Sequence, residues 1–225
     1  MLGKKTNWLW LSHVLDKNTP AYGNGPTLQL SQTGAIQRGD SCNYSTIECL
    51  PLHLGTHVDA PLHFIPEGKS VDQLPAESWL FHSIQVFHLD PPPMAYILTE
   101  KDFPLTAINP LAEIILIKTG FEQYREKEIY WQQNPGLSPE LASYFLSHFP
   151  HLRAVGMDFI SASSFQHREI GRKAHQAFLS KEILFIEDMK LNALESGMNL
   201  SELIMLPLRI KDIDGSPCTV IAHIL

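Results

Sequence analysis

Apolar positions along the chain fall into short runs separated by turn residues, and most of those runs are too short for helices. Trp8 to Val14 is one such run, followed by the turn-rich "NTPAYGNGP". Tyr44 to Leu52, "YSTIECLPL", is β-branched and aromatic and reads as a strand that delivers the chain to His53. Ser83 to Leu89 is another strand candidate, stopped by "DPPP" at 90–93, which continues neither a strand nor a helix. "AEIILIK" (112–118), "LRAVGMD" (152–158) and "EILFIED" (182–188) are bounded apolar runs of the kind that buried strands show. "LPLRIKDIDGSPCTVIAHIL" closes the chain as a hairpin, with its turn expected at Asp214-Gly215.

Two segments change period from two to three and four. In "LSPELASYFLSHF", Ser138 is the expected N-cap, Pro139 the first helical position and Glu140 a first-turn acid. Leu141, Tyr144, Phe145 and His148 then share one face. "HREIGRKAHQAFLSK" places Ile170, Ala174, Ala177 and Phe178 on one face of a second helix. Strands with helices between them predict an α/β fold with a mixed sheet, and the excess of strand over helix argues against a regular doubly wound sheet.

Composition narrows the function classes. With 225 residues, 44% hydrophobic and 18% charged, the chain buries a sizeable core. A net charge of −7 without a basic block excludes a nucleic-acid face, which needs clustered Lys and Arg. No stretch approaches the roughly 18–20 apolar residues that cross a bilayer, so no membrane partner is expected. The three cysteines, Cys42, Cys49 and Cys218, form no CxxC pair and read as reduced thiols. The apolar run after Lys4 and Lys5 is too short for a secretory leader, so a cytoplasmic location is expected.

The eleven histidines are unevenly spread. "HLGTHVDAPLH" holds His53, His57, Asp59 and His63 within eleven residues, and its Gly and Pro oppose a helix. In extended chain His57 and Asp59 point to the same side, and a bend at Gly55 brings His53 back beside them. Two imidazoles and a carboxylate suit a borderline divalent ion such as zinc or manganese. His63 is either a further ligand or an acid/base, since its ordinary pKa lies near neutrality. A second group comprises His167, His175 and Glu187. Spacing of i, i+4, i+8 puts His167 and His175 on roughly one helical face, with Gly171 allowing close approach, and Glu187 ends a buried strand. Read alone, each is equally a helix-surface histidine or a strand-end acid.

The unbroken pattern H-x-G-T-H-x-D-x-P-x-H from His53 to His63 resembles the hallmark of the cyclase family of metal-dependent hydrolases, which contains bacterial kynurenine formamidase. "LSH" near 11, "TPAY" near 19, "GMD" before the histidine helix and "PLRIKDIDGSP" extend the likeness over the whole chain, so residues 1–225 are read as one domain. The resemblance implies a swivelling β/β/α fold with a mixed sheet, one or two divalent ions per chain (Zn2+ or Mn2+), and a homodimer or homotetramer. It also implies His53, His57, Asp59, His175 and Glu187 as metal ligands and His63 as the catalytic acid/base. Two departures touch the substrate. Cys218-Thr219 stand where relatives often carry an Arg, and "AYGNGP" stands where kynurenine formamidases carry W-P-G-D. Trp8, Trp10 and Tyr22 either stack on an aromatic substrate or pack a core or subunit interface.

A divalent ion in such a set lowers the pKa of bound water from about 15.7 toward about 7. The expected reaction on a small-molecule substrate is hydrolysis of an amide, with an aryl formamide such as N-formylkynurenine (tryptophan degradation) first. An isatin-like lactam or a lactone is the alternative, with Asp59 able to bridge two ions. A non-catalytic metal-binding protein is the rival of another class, and it has no use for His63. The absence of G-x-S-x-G disfavours a serine hydrolase.

Overall fold

The structure is a computed structural model that describes residues 7–106 and 108–225. Lys4 and Lys5 lie outside the described residues. Thirteen strands follow in chain order: β1 (Trp8–Trp10), β2 (Gln29–Gly34), β3 (Tyr44–Cys49), β4 (His57–Asp59), β5 (Leu80–Phe81), β6 (Ile84–His88), β7 (Ile97–Leu98), β8 (Ile114–Lys118), β9 (Gly136–Leu137), β10 (Ala154–Met157), β11 (Leu184–Glu187), β12 (Leu200–Pro207) and β13 (Gly215–Ile224). The helices are a single turn α1 (Ile129–Gln132), α2 (Leu141–His148) and α3 (Arg168–Leu179).

Nine strands form one mixed sheet in the order β5-β12-β13-β4-β11-β10-β8-β6, with β1 also paired to β13. Strands β6, β8, β10 and β11 are parallel, whereas β4 runs antiparallel to both β11 and β13. β13 belongs to two layers. Gly215–Pro217 pair with β4, and Cys218 onward pairs with β12.

Burial on both faces explains why the central strands read as unbroken apolar runs. Ile115 and Ile117 of β8, with Val155 and Phe185, pack toward Phe145 of α2 and Phe178 of α3. Their neighbours Ile114, Leu116, Ala154 and Ile186 pack instead against Leu203, Met205, Val220 and Ala222 of β12 and β13. Each such side chain contributes about 1.5–3 kcal/mol by leaving water. Helices, central strands and outer strands thus make three layers, which is the β/β/α arrangement that the resemblance implies.

Three local expectations shift. The closing hairpin exists, but its connection spans residues 208–214, and Asp214-Gly215 enter β13 beside Asp59 instead of forming the tip. The first strand stops at Trp10; Ser12 makes only an isolated bridge to Met189. Ser138 opens the turn ahead of α2 through its carbonyl, which accepts from Leu141 N–H, while its hydroxyl bonds Glu140.

Candidate metal centre

β4 lies between β11 and β13, and its register decides which side chains meet. His57 sits opposite Glu187, and Asp59 opposite Phe185 and Gly215. Period-two alternation therefore sends His57, Asp59 and Glu187 to one face and Val58 and Ile186 into the outer core. α3 lies over that face and lowers His175 onto it.

Two imidazole nitrogens face both oxygens of two carboxylates. His57 Nε2 is 3.4 Å from Asp59 Oδ1 and 3.4 Å from Glu187 Oε2. His175 Nε2 is 3.3 Å from Asp59 Oδ2 and 3.3 Å from Glu187 Oε1. Donors about 2.0–2.1 Å from a tetrahedral ion stand roughly 3.3 Å from one another. Each nitrogen–oxygen separation here is of that order, and the nitrogen and carboxylate chemistry suits a divalent ion. Both rings are also pre-oriented. His57 Nδ1 donates to the Gly55 carbonyl at 2.7 Å and His175 Nδ1 to the Gly171 carbonyl at 2.9 Å, so each Nε2 faces inward toward the carboxylates. Glu187 Oε1 accepts from Ala162 N–H at 2.7 Å and from the Ser161 hydroxyl at 3.1 Å.

Two glycines make this approach possible. Gly55 takes φ +65, and a Cβ there would come within 2.3 Å of Leu15. A Cβ on Gly171 would lie 2.1 Å from Ser163 Oγ. The bend and the close helix approach read from the sequence are both present.

The electrostatics is that of a protonated cluster. Burial pulls the pKa of His57 and His175 down, but their hydrogen bonds to Asp59 and Glu187 outweigh it, raising His57 well above its ordinary value and His175 to about 10. Burial pushes Asp59 up, and bonds from His175, His53 and His57 more than reverse this, holding it well below the carboxylate range. A bound divalent ion would take the place of those protons.

His53 Nδ1 lies 2.8 Å from Asp59 Oδ1, and its Nε2 lies 3.0 Å from Asp214 Oδ2. Asp59 is thus shared by two groups that could each hold an ion, His53/His57/Asp59 and Asp59/His175/Glu187. His63 forms a third such group with His53 and Asp214: it stacks on His53 at 4.0 Å between ring centroids, with Nδ1 2.7 Å from Asp214 Oδ2. Its Nε2 has no hydrogen-bond partner among the described residues, and the ring lines a cleft of about 540 Å³.

The structure brings His53, His57, Asp59, His63, His175 and Glu187 to this cleft. His167 is not among them. The chain enters α3 only at Arg168, so His167 is exposed in the preceding turn. Helical rotation of about 100° per residue places Arg168, Arg172 and His175 on one stripe instead, and all three line the cleft. Of the aromatic candidates, Tyr22 lines the cleft. Trp8 packs edge-on against His223, and Trp10 belongs to a separate apolar cleft of about 510 Å³ with Ile47 and Leu206. Asp214, Arg168 and Arg172 carried no functional reading in the sequence. The only signal for Asp214 was an acid before a glycine, which reads as a turn.

The Cyclase family profile matches residues 9–164. Kynurenine formamidase of Bacillus cereus is 26% identical over 216 residues, covering 95% of this chain and 96% of its own. Isatin hydrolase A from Labrenzia aggregata, solved with benzyl benzoate, superposes with a TM-score of 0.79 at 24% identity, covering 96% of this chain and 92% of its own. A structure described as "Potential Metal-Dependent Hydrolase With Cyclase Activity" gives a TM-score of 0.71 at 21% identity, with 96% of both chains covered. No described helix is long and apolar enough to cross a membrane. With more than half of its length matched by the profile, this chain belongs to the Cyclase family.

Proposed function

We propose that the chain is a metal-dependent amidohydrolase that cleaves the C–N bond of a small aryl formamide, N-formylkynurenine being the first candidate. The observation that carries this reading is the pairing of two functions in one cleft: a buried His/Asp/Glu cluster whose nitrogens stand 3.3–3.4 Å from carboxylate oxygens, and beside it a histidine oriented by a carboxylate.

Asp59, His175 and Glu187 would hold one ion, with His53 and His57 sharing Asp59 toward a second position, and zinc suits the donor set. The ion supplies Lewis acidity, which polarises a carbonyl and acidifies water. The remaining work belongs to the chain. Asp214 accepts from His63 Nδ1–H, which fixes the ring and leaves Nε2 directed to the cleft. His63 Nε2 takes a proton as the carbonyl is attacked and returns it to the departing aryl nitrogen. Phe64, stacked on His175 at 4.5 Å, gives the cleft an apolar wall that suits an aromatic ring.

The test is turnover of N-formylkynurenine and of isatin by purified protein, with metal content measured on the same sample. Hydrolysis of the formamide that scales with bound metal is expected. Metal-loaded protein inactive on both compounds contradicts the reading.

A further inference from the structure

The cleft carries a feature that amide hydrolysis does not use: two guanidinium groups at its rim, Arg168 and Arg172. Arg168 has no carboxylate within 4.0 Å among the described residues, and Arg172 has only Glu169 on the exposed side of the helix, at 3.6 Å. The cleft's own acids point elsewhere, since Asp59, Glu187 and Asp214 are each engaged by imidazoles. Arg168 therefore balances no carboxylate within reach, and Arg172 meets only a solvent-exposed one.

Their position also runs against the helix that bears them. Arg168 is the first residue of α3 and Arg172 lies one turn on, where the positive end of the helix dipole disfavours cations and favours anions. A local rule broken beside a site, in a chain of net charge −7, calls for a compensating anion. Arg168 is held in place by stacking, its guanidinium 4.2 Å from the Phe165 ring centroid and 5.9 Å from that of Tyr22. Tyr22, beside Arg168, adds a polar group to the same rim. Its hydroxyl is buried with no hydrogen-bond partner among the described residues, and its ring lines the same cleft.

We infer that Arg168 and Arg172 grip a carboxylate of the substrate, so that the enzyme acts on carboxylate-bearing aryl amides in preference to amides or lactams that lack one. The inference deepens the amidohydrolase reading and rests on it. Along a helix rising about 1.5 Å per residue, Arg172 stands roughly 4.5 Å and Arg168 roughly 10 Å from His175. Arginine suits this task because its planar fork binds a carboxylate through two parallel hydrogen bonds. A locally positive rim on an acidic protein also concentrates anionic substrates at the entrance.

The test has a binding arm and a turnover arm, both on metal-loaded protein. In the first, calorimetry compares 3-phenylpropanoate with 3-phenylpropanamide on wild type and on the Arg168→Gln/Arg172→Gln double variant. Wild type is expected to bind the carboxylate at least tenfold more tightly, and the double variant to lose that preference with its melting temperature retained. In the second, the kcat/KM ratio of 4-(2-formamidophenyl)-4-oxobutanoate to its primary amide, neither of which carries an ammonium, is expected to fall at least tenfold in the variant, mainly through KM. Absence of a carboxylate preference in wild type, including failure to bind either probe, overturns the inference. So does a preference that survives in the double variant, since the anion then binds elsewhere in the cleft. If neither formamide turns over while the arginine-dependent preference holds, the formamide reading fails and the anion site stands.

Discussion

His63 and Asp214 are 151 residues apart in the chain and 2.7 Å apart in the fold, Nδ1 against Oδ2. The same carboxylate oxygen reaches His53 Nε2 at 3.0 Å, so one acid aligns two stacked rings. Backbone pairing places it there, since Ala60 N–H donates to the Asp214 carbonyl at 2.9 Å. Asp214→Asn keeps the shape and removes the charge. It is expected to lower kcat by roughly 10–100-fold with little change in KM. Metal content measured alongside should stay close to wild type, and so should that of His63→Ala, whose turnover falls further. Loss of the ion from His63→Ala would make His63 a ligand.

Gly215 faces Asp59 across β4 and β13. A Cβ there would come within 2.3 Å of His53 Cε1. The ring, which is partly exposed, can swing away more easily than the backbone can move. Gly215→Ala should therefore disable the site while costing little stability. Activity is expected to fall at least tenfold with an unchanged circular dichroism spectrum, and a fully active variant would show that His53 has slack.

Gly171 poses the opposite balance. Ala in a helix interior gains about 1 kcal/mol over Gly, but here its Cβ would stand 2.1 Å from Ser163 Oγ and 2.5 Å from Ser163 Cα. Overpacking against backbone costs about 1–3 kcal/mol, so the clash wins. Gly171→Ala should melt lower than wild type, by about 2–4 °C per kcal/mol lost. It should also bind metal more weakly, because α3 carries His175. Thermal melts with and without added zinc check both.

The acid limb of stability should bear the mark of His13. Burial holds its pKa down at about 4, Arg125 and Lys190 act in the same direction, and Asp188 opposes them. Glu122 is its nearest acid, 3.7 Å away. A depressed histidine contributes stability that is whole above the unfolded pKa near 6.5 and is lost as pH falls through about 4. The shift corresponds to about 3 kcal/mol. Denaturant melts from pH 7 to pH 4 should show a flatter decline for His13→Gln than for wild type, and parallel declines would show that His13 is not the source.

What could be read from the sequence depended on distance along the chain. His53, His57, Asp59 and His63 fit local rules of alternation and bending, and Gly55 and Gly171 could be recognised as places of close approach. "AEIILIK" and "EILFIED" could be read as buried strands from their unbroken apolarity, whereas the three-layer arrangement came from the family resemblance. His167 misled because periodicity alone does not say where a helix begins. Chain geometry before Arg168 shifted the inward stripe by one residue. Asp214 was hidden because its partners are more than 150 residues away, and its glycine serves a steric need of His53 that only packing reveals.

Metal binding is the most direct measurement of all. Protein stripped with chelator, dialysed against zinc and analysed by mass spectrometry should hold one or two ions per chain. His175→Ala and Glu187→Gln, each folded by circular dichroism, should bind at least tenfold more weakly. A wild-type chain that retains no stoichiometric divalent ion, or variants that hold it as tightly as wild type, would contradict the account.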